Sequence, residues 1–430
     1  VINMTNVGDA WKRRNKVLGD VHPFFDTEKR QLFLFYLATD GSFSSRLSTS
    51  KNMKDFVDVP MTFAGTPRAP YFVVAPLKHE GIYYTWFGQQ FTHVCSKSED
   101  GITWQPSVEF DIEVDRDISN RGERDPYVLH DSSEKCFYLV ALSYPHQNND
   151  CDIILRRTLG DSLDKWAEQT KRIVNFYNGD TWNDGEPECP QLYKIGRRWY
   201  LFASLARKTA HHVGGMSYWI GELDKTPFEV DWSSLPRHEL TSEDLCAAQL
   251  FRKGKQTLLF GWISQEALGY RWGGTLNSPL RVKASKTGKL YTCFAKNRQQ
   301  NRFATTPIDN IDSINLKHLH TQFIIPGDRF TMTFANGKDD DQHIVVDRFN
   351  RRVFVASTPF HIEHASLTLP KSNFIGLITV DALIYDDIIE VNVNGCATIH
   401  ARMSRPLAGD KLLFSSVVTN AVLESSISSL

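Results

Sequence analysis

Ser133-Glu134-Lys135-Cys136-Phe137-Tyr138-Leu139-Val140-Ala141-Leu142 sets a charged turn before a run of aromatic and aliphatic residues. A short apolar run of this kind, bounded by turn formers, reads as a strand covered on both faces. The pattern recurs. Glu28-Lys29-Arg30 precedes Phe33-Leu34-Phe35-Tyr36-Leu37-Ala38, and Lys78-His79-Glu80-Gly81 precedes Ile82-Tyr83-Tyr84-Thr85-Trp86-Phe87. Gly196-Arg197-Arg198 leads to Trp199-Tyr200-Leu201-Phe202-Ala203-Ser204, and Lys253-Gly254-Lys255 to Thr257-Leu258-Leu259-Phe260-Gly261-Trp262. These strands begin at residues 33, 82, 137, 199 and 257. A period of roughly 50 to 60 residues, holding several short strands, is the size of one four-stranded propeller blade. Helical periodicity is absent except at Asp161–Thr170, read as a turn or two of helix. The expectation is a five-bladed β-propeller over residues 1–295.

Past residue 295 the blade pattern stops. Residues 296–307 are polar and irregular, as in a linker. Residues 308–430 hold alternating strands such as Phe330-Thr331-Met332-Thr333-Phe334 and Ile388-Ile389-Glu390-Val391-Asn392-Val393, with turn signals at Asn336-Gly337 and Asn394-Gly395. They read as a β-sandwich. The fold class is therefore all-β: a propeller followed by a sandwich.

Composition narrows the partners. Within 430 residues, 49 basic and 50 acidic side chains leave a net charge of −1, which gives no reason to expect nucleic acid or an anionic membrane. Apolar runs are strand-length and the chain reads as soluble, either secreted or cytoplasmic. Seven scattered cysteines without a Cys-x-x-Cys pair argue against a disulfide framework or a zinc knuckle. His211-His212 and His361-Ile362-Glu363-His364 lack a third partner at ligand spacing, so neither metal nor cofactor is expected.

Three acidic stretches stand out against the repeat: Leu18-Gly19-Asp20-Val21-His22-Pro23, Gly122-Glu123-Arg124-Asp125-Pro126 and Glu186-Pro187-Glu188-Cys189-Pro190. Asp20, Asp125 and Glu188 lie 13, 12 and 11 residues before positions 33, 137 and 199. They hold nearly the same place in blades one, three and four, on the strand before the repeat strand. First strands of propeller blades line the central channel, so equivalent positions converge at one mouth. Unrelated surface carboxylates would not keep this phase.

These motifs resemble glycoside hydrolase family 32, the fructan- and sucrose-cleaving enzymes. Arg124-Asp125-Pro126 and Glu188-Cys189-Pro190 match its Arg-Asp-Pro and Glu-Cys-Pro motifs. Ala247-Ala248-Gln249 with Leu259-Phe260-Gly261-Trp262, then Gly273-Gly274-Thr275-Leu276 to Pro279, resemble its fifth-blade pattern; Glu390-Val391-Asn392-Val393-Asn394-Gly395 resembles a strand of its sandwich. The resemblance implies Asp20 as nucleophile, Glu188 as general acid/base and Asp125 as transition-state stabiliser. The family's first motif is Trp-Met-Asn-Asp-Pro-Asn-Gly; Gly19-Asp20-Val21-His22-Pro23 keeps the aspartate and lacks both asparagines.

Substrate-binding candidates are Arg124, whose alternative is simply to pair with a carboxylate, Phe63, Trp86 and Asp244. Phe63 stands where the family has a substrate-facing aromatic, and a core role fits it as well. Trp86, Trp182 and Trp272 are open to the same two readings, since sugar sites and cores both use tryptophan. Glu186, two residues before Glu188, is expected to share its strand face and raise its pKa. Cys189 reads as a buried structural thiol.

The expected activity is retaining hydrolysis of β-fructofuranosidic bonds in sucrose or fructans through a covalent fructosyl-enzyme intermediate. Transfer of the fructosyl group to a sugar hydroxyl, even within one molecule, is the first alternative. A carbohydrate-binding propeller without chemistry and an inverting arabinan-cleaving propeller are the others. Linkage, chain length and oligomeric state are not legible.

Overall fold

The computed structural model describes residues 17–39, 42–53, 55–63, 73–89, 91–145, 151–176, 186–206, 213–265, 272–295, 310–311, 318–324, 329–336, 340–358, 362–369, 371–374, 377–385, 387–403, 405–407, 411–414 and 420–424. The regular structure is almost entirely antiparallel strand. Asp161–Thr170 contains no helix; an isolated bridge between Thr158 and Trp166 orders its first part instead.

Between positions 18 and 294 the described residues form five successive antiparallel meanders. The first runs through Leu18–Asp26, Gln31–Ala38, Ser45–Ser50 and Val57–Val59. The second uses Val74–His79, Ile82–Gln89, Thr92–Ser98 and Thr103–Pro106, and the third Glu123–Asp131, Cys136–Ser143, Cys151–Arg157 and Lys171–Phe176. Glu186–Ile195, Arg198–Ala206, Val213–Ile220 and His238–Glu239 make the fourth. The fifth comprises Leu245–Lys253, Gln256–Ser264, Leu280–Ala284 and Leu290–Phe294. Gly274–Leu276 lies between Gln256–Ser264 and Leu18–Asp26, pairing Gly274 with Leu18 and joining the fifth meander to the first.

The five repeated apolar segments are the second strands of these meanders, and their composition follows from burial on both faces. All of Cys136–Ser143 is buried. Successive side chains point to opposite faces. Phe137, Leu139 and Ala141 pack with Ala75 and Trp86 of the second meander, while Tyr138, Val140 and Leu142 pack with Leu192 and Leu201 of the fourth. Likewise Phe33 and Phe35 join Val74 and Phe87, whereas Leu32 and Leu34 join Phe251 and Phe260. A further cluster unites Tyr200 and Phe202 with Leu250 and Leu259. Each meander thus shares one core with the meander before it and one with the next, and the fifth shares one with the first. Full burial of such a side chain is worth about 1.5–3 kcal/mol, so the aromatic second strands carry much of the stability.

Two more sheets follow. Arg329–Ala335, Gln342–Asp347, Arg352–Ser357 and Ile362–Thr368 build one, with Asn310–Ile311 and Lys411–Phe414 at its edge. His318–Ile324, Leu377–Tyr385, Ile388–Val393, Ala397–Arg402 and Asn420–Glu424 build the other. Phe330, Met332, Ile344 and Val355 of the first meet Ile378, Val380, Val391 and Ile399 of the second in one core. The Asn394-Gly395 signal is a tight turn with both φ values positive (53° and 62°), joining Ile388–Val393 to Ala397–Arg402.

The Glu390–Gly395 segment forms the seam to the fifth meander. The buried Glu390 carboxylate accepts the Ser278 N–H at 2.9 Å, and Asn392 Nδ2 donates to the Thr292 carbonyl at 2.9 Å. Arg402 donates from Nε to the Ser264 carbonyl at 2.8 Å and from Nη2 to Thr275 Oγ1 at 2.7 Å. Among the described residues no helix is long and apolar enough to cross a membrane.

Candidate active site

Four first strands share a local irregularity. Pairing slips between Gly19 and His22, between Arg124 and Tyr127, between Glu188 and Gln191, and between Cys246 and Gln249. In each case one extra residue is accommodated by a bulge whose leading residue has positive φ: Asp20 (33°), Asp125 (52°), Cys189 (48°) and Ala247 (41°). None is glycine, and each such residue costs on the order of 1–3 kcal/mol of backbone strain, which the surrounding cores must hold in place. The bulges align Asp20 with Asp125, Cys189 and Ala247. Glu188 aligns instead with Gly19, Arg124 and Cys246, one residue earlier than the equal phase expected of it.

That offset places Glu188 opposite Arg124 rather than opposite Asp125. Arg124 grips Glu188 with both ends of its guanidinium, Nη1 to Oε2 at 2.7 Å and Nη2 to Oε1 at 2.8 Å. Its Nη1 also lies 3.3 Å from Asp125 Oδ2, and its Nε donates to the Tyr144 hydroxyl. Asp125 Oδ2 accepts the Cys189 N–H at 3.1 Å, so the fourth-meander bulge holds the third-meander acid. Asp20, 8% exposed, accepts the Trp262 indole N–H at 3.2 Å. Arg124 remains 36% exposed and Glu188 14%, so this pair faces an opening while Asp125 lies beneath.

Glu123, passed over in the sequence, anchors this strand. Its carboxylate has no exposure, lies 2.8 Å from His93 Nε2 and accepts from Arg156 Nη2 at 2.7 Å and Ser119 Oγ at 2.8 Å. Burial raises its pKa, but His93 and Arg156 outweigh that and leave it below the ordinary range.

Burial pushes the other acids up. It raises Asp20 to about 7, aided by the charge of Asp125 and opposed by the Trp262 hydrogen bond and Arg124. It raises Glu188 to about 8; Arg124 pulls down, and Asp125 and Asp20 push up again. Burial and the charges of Asp125 and Asp20 thus raise Glu188 against the pull of Arg124, while the side chain of Glu186 lies outside the described residues. Two carboxyl groups that influence one another come from strands 168 positions apart in the chain, 20 against 188. Burial also pushes the Cys189 thiol well up and keeps it inert, as a structural thiol requires.

Trp272 supplies a wall beside Asp20. A Cβ placed on Gly19 would sit 2.2 Å from its ring, so the indole occupies the space that any other residue at 19 would need. The Trp272 ring meets Trp262 at 6.0 Å and Phe43 at 5.2 Å between centroids. The departure at Gly19 from the family's asparagine therefore has a packing reason.

Three expected binding residues make contacts of their own. Trp86 is fully buried and gives its indole N–H to the Phe110 carbonyl at 2.9 Å, which makes it core rather than a sugar platform. Phe63 stacks on the buried Trp104 at 6.1 Å and belongs with the aromatics between the first two meanders, which favours its core reading. Asp244 lies at the seam, where its Oδ2 accepts the Arg402 N–H at 3.4 Å. Trp182, His211 and His212 lie outside the described residues.

Neither the family models nor the curated proteins compared with the chain give a match. Solved structures do. A Bombyx mori GH32 β-fructofuranosidase mutant in complex with sucrose is 16% identical, with 97% of this chain and 94% of that chain covered at a TM-score of 0.73. Sucrose-6-phosphate hydrolase from Lactobacillus gasseri is 13% identical over 95% and 90% at 0.71. A Schwanniomyces occidentalis fructofuranosidase variant complexed with fructosylnystose is 12% identical over 99% and 98% at 0.66. Along nearly its whole length, then, the chain has the fold of the β-fructofuranosidases of glycoside hydrolase family 32.

Proposed function

We propose that the five meanders are the blades of a five-bladed β-propeller spanning residues 1–295, joined through residues 296–307 to a β-sandwich at 308–430. On this scaffold the protein acts as a retaining glycoside hydrolase on β-fructofuranosidic bonds of sucrose or fructans. The observation that carries the reading is the cluster itself: Arg124 bridging Asp125 and Glu188, with Asp20 close enough to raise the pKa of Glu188. The structural neighbours bound to sucrose and to fructosylnystose support the same substrate class.

Asp20 attacks the anomeric carbon once ionised; Glu188, protonated, gives its proton to the leaving oxygen and later takes one from water. The raised pKa of Glu188 suits the acid. Arg124 opposes that rise. Sugar hydroxyls drawing the guanidinium away would remove the opposition and leave Glu188 better protonated when it is needed. Asp125, fixed by the Cys189 N–H, accepts hydrogen bonds from furanose hydroxyls as the ring flattens. Fructosyl transfer to a sugar hydroxyl shares the first half of this sequence, and product analysis separates the two.

The test is incubation with sucrose, inulin and levan, with free fructose and transfer products resolved chromatographically. Fructose release is expected, with kcat/KM rising as Asp20 ionises near pH 7 and falling as Glu188 loses its proton near pH 8. Glu188→Gln should lower kcat about 10²–10⁴-fold. Absence of any fructosyl product from all three sugars sinks the reading.

A further inference from the structure

All seven cysteines carry free thiols, and five of them are buried. The two half-buried ones, Cys293 and Cys396, stand 103 positions apart in the chain, 293 against 396, yet lie at one seam. Cys293 belongs to Leu290–Phe294, the last strand of the fifth meander. Cys396 sits in the turn between Ile388–Val393 and Ala397–Arg402 of the second C-terminal sheet. Scattered cysteines make no framework, but a single pair needs only one close approach.

Three hydrogen bonds fix that approach. The Thr292 N–H donates to the Cys396 carbonyl at 3.2 Å, Asn392 Nδ2 donates to the Thr292 carbonyl at 2.9 Å, and Thr292 Oγ1 donates to Thr398 Oγ1 at 3.1 Å. Cys293 is the next residue, its Cα about 3.8 Å from that of Thr292. The two thiols sense one another: burial raises the pKa of Cys396, charge on Cys293 adds to the rise, and Lys283 pulls it down. The Cys396 thiol donates to the Asn394 carbonyl at 3.2 Å, a weak bond that rotation about χ1 gives up.

We propose that Cys293 and Cys396 are a modification site, which a small-molecule disulfide of the glutathione type oxidises to one disulfide clamping the second C-terminal sheet to the fifth meander. The thiolate of one cysteine breaks the S–S bond of oxidised glutathione, forming a mixed disulfide and releasing one glutathione. The thiolate of the other cysteine then displaces the second. Two S–H bonds are lost and one S–S bond forms, while two electrons and two protons leave on two molecules of reduced glutathione. A bridge requires Cα atoms about 4.4–6.8 Å apart, and the half-buried turn at 394–396 is the part that settles into that range. Closing so long a loop restricts the unfolded chain, so the oxidised protein should be the more stable form.

The full chain is equilibrated with oxidised glutathione, trapped by alkylation, digested without reductant and mapped by mass spectrometry. A peptide pair joined through Cys293 and Cys396 is expected, and thiols titrated after unfolding should fall by two. Dithiothreitol should restore both. Oxidised wild type should melt several degrees above the reduced protein, a difference that Cys293→Ser and Cys396→Ser each remove. Glutathione held separately on the two cysteines, a bridge between any other pair, or no bridge at all overturns the site. A bridge that forms and leaves Tm unchanged overturns the clamp.

Discussion

Burial sets the chemistry of Asp20 and Glu188 and also makes Asp20 a liability. Its folded-state pKa of about 7 lies above the ordinary 3.8, so between these values the folded protein holds a proton that the unfolded chain releases. That proton favours folding fully below the ordinary value, and the advantage is lost as pH rises through about 7. Asp20→Asn cannot ionise and keeps an oxygen for the Trp262 indole N–H. It should therefore raise Tm by several degrees at pH 8, by much less at pH 4, and abolish activity. A gain equal at both pH values, or a loss at pH 8, contradicts the burial account; thermal unfolding at the two pH values decides. The residues also show where sequence reading stops. Asp20, Asp125 and Glu188 were legible because each precedes a turn into a repeated strand. Trp86 was not, since a tryptophan in an apolar run looks the same in a core as at a sugar site. Glu123 was hidden by lying next to a motif that drew attention away from it.

At the scale of the element, the bulge does what a regular strand cannot. It turns two neighbouring residues, Arg124 and Asp125, toward one site, where strict alternation would send them to opposite faces. The repeated second strands could be read from composition, because burial on both faces leaves continuous apolar runs. The bulges could not: their left-handed residues are Asp, Asp, Cys and Ala, and no glycine marks them. The one-residue offset of Glu188 was invisible for that reason. Gly274 is a different kind of constraint. Its backbone pairs with both Ser264 and Leu18, and an added Cβ would lie 1.8 Å from the Ile263 carbonyl oxygen. Because that obstacle is backbone, Gly274→Ala should cost about 1–3 kcal/mol and lower the urea midpoint; an unchanged midpoint would show that this junction is looser than described.

Across the whole molecule, the site exists only because distant segments are brought together. The five shared cores fix the first, third and fourth meanders around the acids, and the fifth contributes Trp262 through its own second strand. The second C-terminal sheet reaches the fifth meander through Glu390, Asn392 and Arg402, so a motif far from the acids in sequence serves the scaffold rather than the chemistry. In the proposed function Asp20 and Glu188 serve one sugar, the first as nucleophile and the second as acid and base. The direct measurement is to incubate Glu188→Gln with a β-fructofuranoside bearing an activated leaving group, quench in acid, digest, and map adducts by mass spectrometry. Bond cleavage then needs little help from the acid, while release still needs the base, so one fructosyl unit should accumulate on the peptide containing Asp20 and on no other. Turnover without an adduct, or an adduct on a different carboxylate, would contradict the account.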